Sequence, residues 1–164
     1  MRVLHHWIVG LALFAATSAN VAHAESSDSE LSTHETKLHS QIDEAYQQEL
    51  VAMQRYQAAS QQFGQVAPFS QLQQAQQQQL RQIADLYQQR GWEPGVVTVP
   101  LRHQFQDLVD ACRTSLQGAQ ADVAMYDRLV QQVMDTQVQQ TFQQLRQAVQ
   151  QQHIPSLQHC ASGH

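Results

Sequence analysis

Apolar residues recur at steps of three and four through most of this chain, and the breaks in that rhythm divide it into four segments. In the first, Ile42, Ala45 with Tyr46, Ala52 with Met53, Tyr56, Ala59 and Phe63 share one stripe, and Ser40 with Asp43 predicts the N-cap. Gly64 and Pro68 interrupt it. A second capping signal, Ser70 with Gln73, precedes Leu72, Ala75, Ile83 and Leu86 with Tyr87, and Gly91 predicts the stop. Residues 92–100 hold a Pro-Gly turn and a short β-branched run; a lone strand would lack a partner, so an extended connection is expected. A third helix is predicted from about Leu101 to Val133, with Phe105, Leu108, Cys112, Leu116, Ala119, Val123, Tyr126 and Val130 on one face. A fourth follows Asp135, a good N-cap, and carries Val138, Phe142, Leu145, Val149 and His153 until Pro155 bends or ends it. The fold class is therefore all-α. Short connections within the first and second pairs predict antiparallel neighbours and the longer one a crossover, which makes a four-helix bundle over residues 40–160. A looser open hairpin of the periplasmic-chaperone kind fits the same periodicity.

The segments before the bundle change the picture. Residues 1–24 combine one positive residue, Arg2, an apolar run from Trp7 to about Thr17, and Ala22-His23-Ala24 ahead of an acidic stretch. This is the layout of a cleaved signal peptide, and the apolar run falls short of the roughly 20 residues a membrane span needs. A periplasmic or secreted protein is expected, with no membrane span after cleavage. Residues 25–39 are polar and read as a frayed leader. With Arg2 removed, 8 basic against 14 acidic residues leave a formal charge of −6, which argues against nucleic acid or anionic lipid as a partner.

Glutamine accounts for 34 of the 164 residues, distributed through the periodic segments, so it reads as neutral helix surface and not as a prion-like tract. The two cysteines, Cys112 and Cys160, lie 48 residues apart and form no CxxC pair. In an exported chain a disulfide is the default.

Four polar residues sit inside the apolar stripes: Glu49, Gln76, Gln79 and His153. Dimetal bundles project carboxylates and Glu-x-x-His steps into the core, and 76 to 79 has that i, i+3 spacing. Carboxamides, however, are neutral and weak donors, while two divalent ions bring about +4 of charge. Glu49 and His153 could support at most one weakly held ion, iron or copper, and no cofactor is expected. The competing arrangement is a dry polar cluster in which Glu49 bonds His153 or the two Gln side chains. His159, Cys160 and His164 form a weakly preorganised set of soft and imidazole donors that a disulfide would remove. His103 reads as surface, and His34 and His39 belong to the leader. Ser115, His103 and Asp107 assemble into a triad only on paper, so catalysis is not expected.

Glu49 and Tyr56, Phe63-Gly64, Pro68-Phe69, Tyr87, Gly91-Trp92, Ala111-Cys112, Tyr126-Asp127-Arg128-Leu129, Phe142, Leu145 and His153-Ile154-Pro155-Ser156-Leu157 with Cys160 resemble, in order and spacing, an uncharacterised bacterial family of secreted ferritin-like domain proteins. The resemblance covers about residues 40–160. It implies a dimetal bundle with a Glu on helix 1, Glu-x-x-His on helix 2, acidic residues on helix 3 and a His on helix 4. By position, Glu49 and His153 are kept, the Glu-x-x-His falls on Gln76 and Gln79, and the helix 3 positions fall on Gln117 and Ala119. That pattern describes a degenerate member, from which ferroxidase or peroxide chemistry is not inherited. On the same picture Cys112 and Cys160 are displaced about 10 Å toward one end of the bundle, where they can bond. Two function classes follow. One is a non-catalytic envelope protein that meets an unknown protein or envelope component through Gln-rich faces, a homodimer being one arrangement these allow. The other is a weak iron or copper site at Glu49 and His153. A helical holding chaperone is a third.

Overall fold

The computed structural model describes residues 21–96 and 104–163, and among these every regular element is helical. The helices are α1 (Val21–Phe63), α2 (Phe69–Arg90), α3 (Leu108–Gln132), α4 (Thr136–Ala148) and α5 (Ile154–Ala161), with a π-helical turn, Val149–His153, between the last two. The chain divides into two units between His34 and Glu35. In the first, residues 21–34 are helical and Glu30 to His34 are exposed; residues 1–20 of the expected signal peptide lie outside the described residues. The second unit contains everything that follows.

Several expected boundaries move. The expected cap at Ser40 does not begin α1, because no Gly or Pro occurs between Val21 and Phe63 and the expected frayed leader continues the helix. Asp43 instead accepts hydrogen bonds from the Tyr87 hydroxyl (2.5 Å) and the Gly95 backbone (3.0 Å), fixing the start of the connection after α2. His39, expected in the leader, packs edge-on against Tyr87 and Trp92 and faces Asp43. Ser70 does not cap α2, which starts at Phe69 behind Pro68 without a side-chain cap. Its expected partner Gln73 reaches across to the Tyr56 carbonyl (3.2 Å) and to Ser60. Gly91 does end α2, in the left-handed conformation (φ 65°), with its N–H and that of Trp92 returned to Gln88 and Tyr87.

The third helix begins at Leu108, later than Leu101, because the Asp107 carboxylate accepts from the Asp110 N–H at 2.8 Å and caps it there. Just upstream, the Gln62 side-chain amide closes a pair of bonds with the backbone of Phe105, Nε2 donating to its carbonyl at 2.6 Å and Oε1 accepting from its N–H at 3.1 Å. The latter half of the 92–100 connection, residues 97–100, is outside the described residues. Asp135 caps α4 as expected, accepting from Val138 N–H at 2.9 Å, and an Arg90 bond of 2.8 Å ties this cap to the end of α2. Pro155 neither breaks nor sharply ends the last helix. Its missing N–H is absorbed by the wider π turn just before it, and His153 rides on that turn.

The packing has an unusual division. One apolar cluster gathers Ile42, Ile83, Leu86, Met125, Leu129, Phe142 and Leu145; a second gathers Tyr56, Phe69, Leu72, Cys112, Ala119, Val149 and Leu157. On α1 the residue between the two sets is Glu49, on α2 they are Gln76 and Gln79, and on α3 it is Asp122, all four buried. A polar layer thus crosses the core at mid-height.

At one end Cys112 and Cys160 are bonded, with Cα atoms 5.8 Å apart, joining α3 to α5. Helix α5 is only eight residues long, and the cross-link adds to the burial of Leu157 in holding it against α3. Cys160→Ser is expected to lower unfolding free energy by roughly 2–4 kcal/mol in urea melts, with helicity at low denaturant retained.

Candidate functional site in the polar layer

Glu49 is held from two sides. Its carboxylate accepts from the Gln76 amide of α2 and from the Tyr126 hydroxyl of α3, and the same Gln76 nitrogen donates to the Glu49 carbonyl at 3.0 Å. One side chain therefore links three helices through charge-assisted bonds. Gln79, also buried, has neither amide atom bonded to another protein group. Its neighbourhood in the stripe accommodates a carboxamide without using it.

The third-helix positions behave differently from the expectation. Gln117 is exposed and Ala119 is a fully buried apolar residue. The acid that faces the core is Asp122, three residues beyond Ala119. The buried face of α3 runs through Cys112, Ser115, Ala119, Asp122 and Tyr126, whereas Leu116, Val123 and Val130 lie at its margin. Counting apolar residues turned the predicted stripe by one position. The signal that could have found Asp122 is its place four residues before Tyr126 and three after Ala119, on one helical face.

The charge opposite Asp122 comes from Arg55 on α1, buried with 8% of its surface exposed. Its guanidinium lies against Gly118, where a β-carbon would overlap it, so the glycine makes room for a cation beside the layer. Sequence reasoning missed Arg55 because it borders the apolar stripe next to Tyr56. A guanidinium is weakly hydrated for a cation and tolerates such burial better than an ammonium.

His153 stands apart from Glu49. Its Nδ1 is 3.4 Å from the Tyr56 hydroxyl, within hydrogen-bond reach, and its Nε2 is buried with no protein partner. The polar-cluster arrangement thus holds for Glu49 with Gln76, while His153 pairs with Tyr56. Among the described residues no three His, Cys, Asp or Glu side chains converge as a metal-binding group. With Glu49 engaged by two donors and carboxamides at 76 and 79, the donor set does not fit a dimetal centre. Of the remaining candidates, Cys160 is in the disulfide, Asp107 caps α3 and Ser115 is buried, while His103 and His164 lie outside the described residues.

Burial dominates the titration of the layer. It raises the Glu49 carboxyl to about 7, with the Tyr126 and Gln76 bonds opposing and the Asp122 charge adding. Burial likewise raises Asp122 to about 7 against the pull of Arg55. Burial lowers His153 to about 4, so the ring is neutral. The Arg55 guanidinium acts on Asp122, and the charge of Asp122 in turn disfavours ionisation of Glu49, so protonation relieves the excess negative charge of the layer.

The signs give a pH profile. Each carboxyl binds its proton more tightly folded than unfolded, so its stabilisation is complete below about pH 4 and is lost as pH rises through about 7. His153 acts oppositely, contributing stability above about 6.5 that is lost as pH falls through about 4. Two protons outweigh one, and above 6.5 the carboxyls act alone. Thermal melts are expected to give a higher Tm at pH 5 than at pH 8. Glu49→Gln should shrink that difference while changing stability at pH 7 by no more than about 1 kcal/mol, because the free Gln76 oxygen can accept from the new amide. Gly118→Ala should cost about 1–3 kcal/mol by displacing the Arg55 guanidinium, measured by denaturant melts.

No helix among the described residues is long and apolar enough to cross a membrane. Comparison with protein-family models, with curated proteins and with solved structures gives no match to this chain.

Proposed function

We propose that this chain is an antiparallel, ferritin-like four-helix bundle with a crossover between α2 and α3, whose metal site is replaced by a hydrogen-bonded polar layer. It acts as a non-catalytic binding or structural protein of the cell envelope. The observation that carries this reading is the capture of both Glu49 carboxylate oxygens by Gln76 and Tyr126, with Arg55 supplying positive charge beside Asp122. Where ligand carboxylates would bind ions, a neutral amide and a phenol bind the Glu49 carboxylate.

The helix pairings support the topology: Glu49 with Gln76 and Ser60 with Gln73 in the first pair, Asp127 with Arg146 and Cys112 with Cys160 in the second. The signal-like residues 1–24 and the disulfide support an envelope location. The surface offered to a partner is rich in neutral Gln, including Gln77, Gln78, Gln143, Gln144, Gln151 and Gln152, all exposed. Such faces favour hydrogen bonding to protein or glycan over charge-driven binding to nucleic acid.

A weak iron or copper site is the second reading, favoured by the unpartnered Nε2 of His153. A holding chaperone is less well supported: the large apolar residues exposed among those described are single ones, Leu31, Val96 and Met134.

Metal content of the mature protein, purified from the periplasm without tag or chelator, separates the readings when measured beside a Glu49→Ala/His153→Ala control. The polar-layer reading expects both to be empty, before and after anaerobic loading with iron or copper. Near-stoichiometric metal that the control lacks would overturn it in favour of metal handling.

A further inference from the structure

The disulfide has two unlike faces. Cys112 is completely buried in the second apolar cluster, whereas Cys160 is half-buried and lines a cavity of about 480 Å³. The cavity lies where the connection from α1 to α2 meets the beginning of α3 and the last helix. Pro68, Leu108 and Val109 give it apolar walls, and Gln71 and Ser156 give it polar atoms. Its size falls in the roughly 300–1,000 Å³ range of small-molecule sites. Cys112 is not among the residues that line it. A molecule in the cavity therefore approaches the bridge from its Cys160 side and is shielded from Cys112.

We propose that Cys160 is a site of S-thiolation, at which a low-molecular-weight thiol enters this cavity and opens the Cys112–Cys160 bond. The thiol loses its proton to water and attacks Cys160 Sγ as the thiolate, forming a new S–S bond to it while the Cys112–Cys160 bond breaks. The electron pair of the broken bond leaves with Cys112, which takes up a proton from water. The incoming sulfur is oxidised and Cys112 is reduced, so electrons balance without a further reagent. Disulfide exchange proceeds at whichever sulfur an attacking thiolate can reach, and access here is confined to Cys160. Attack at Cys112 would require opening the apolar cluster around it. The reverse step, attack by Cys112 on the mixed disulfide, restores the bridge and expels the thiol, because both sulfurs stay on helices packed against one another. The modification converts a cross-link between α3 and α5 into an adduct on α5 alone.

The site gains its selectivity from shape. A tripeptide thiol has carboxylate groups that the Gln71 amide can meet and amide N–H groups that can donate to Ser156 Oγ, whose own proton goes to the Gln152 carbonyl, and a short thiol-bearing arm that fits between the apolar walls. The proposal is independent of whether the polar layer holds a metal.

The test uses the oxidised mature protein with reduced glutathione in excess, quenched at successive times into denaturant containing excess alkylating reagent, so that a buried Cys112 thiol is captured, and mapped by mass spectrometry. The expected early product carries one glutathione on Cys160 and the alkyl group on Cys112. Glutathione on Cys112, equal adducts on both cysteines, or no adduct on the folded protein under conditions that thiolate the urea-unfolded chain would each overturn the proposal. Gln71→Trp, a change at an exposed position on the cavity wall, should slow adduct formation several-fold without altering the melt. An unchanged rate in a variant that melts normally would mean that the thiol does not come through the cavity. Should that variant fail to fold, the position of the adduct in the unsubstituted protein still decides the question.

Discussion

The Glu49 carboxylate is the constraint on which the bundle interior turns. A buried carboxylate is costly unless donors surround it, and here one donor comes from Gln76 on α2 and another from Tyr126 on α3. Satisfying it fixes the relative height of three helices at once. Sliding α2 by one turn would carry Gln76 away and leave the charge unpaired in a low-dielectric interior. Apolar contacts above and below the layer tolerate small shifts; the hydrogen-bonded carboxylate does not. The division of the core into two apolar clusters follows from this layer and gives the packing a single register.

The electrostatics of the layer also account for what the site can do. A dimetal centre works because several carboxylates balance two ions. This interior has two carboxyls, Glu49 and Asp122, and one guanidinium, Arg55, so its balance is struck with a fixed side-chain cation and a proton. Gly118 is part of that arrangement, since only the absence of a β-carbon lets the guanidinium lie where it does. His153, neutral and bonded to Tyr56, adds no charge. The chemistry is that of a sealed hydrogen-bonded layer, with Gln79 and the Nε2 of His153 left without protein partners.

The two ends of the bundle are secured by different means. Near the end of α2, Asp43 gathers the Tyr87 hydroxyl, the Gly95 N–H and His39, while Arg90 reaches both Asp135 and the face of Trp92. These are polar ties with part-exposed members, modest in energy and dependent on salt. At the opposite end a covalent bond holds the short α5 to α3, and the π turn before Pro155 lets the chain continue helically to reach it. The covalent end is also the one that carries a cavity.

The sequence alone determined the all-helical class, the stops at Gly64 and Gly91, the cap at Asp135 and the presence of polar residues within the apolar stripes. These are local: backbone conformation, capping and 3.6-residue periodicity depend on neighbours a few positions away. Helix starts were less legible. Ser40 and Ser70 are good caps that the chain does not use, because a helix continues or begins elsewhere when tertiary contacts claim Asp43 and Gln73. Which residues share the layer was decided only in three dimensions. Asp122 and Arg55 border stripes that could be drawn equally well through Val123 or Tyr56, and a rotation of one position on α3 exchanges an acid for a valine at the core. That rotation is set by what α3 meets on α1, the Glu49 carboxylate for Tyr126 and the Arg55 guanidinium for Gly118, and no spacing along one chain segment encodes the partner across the interface.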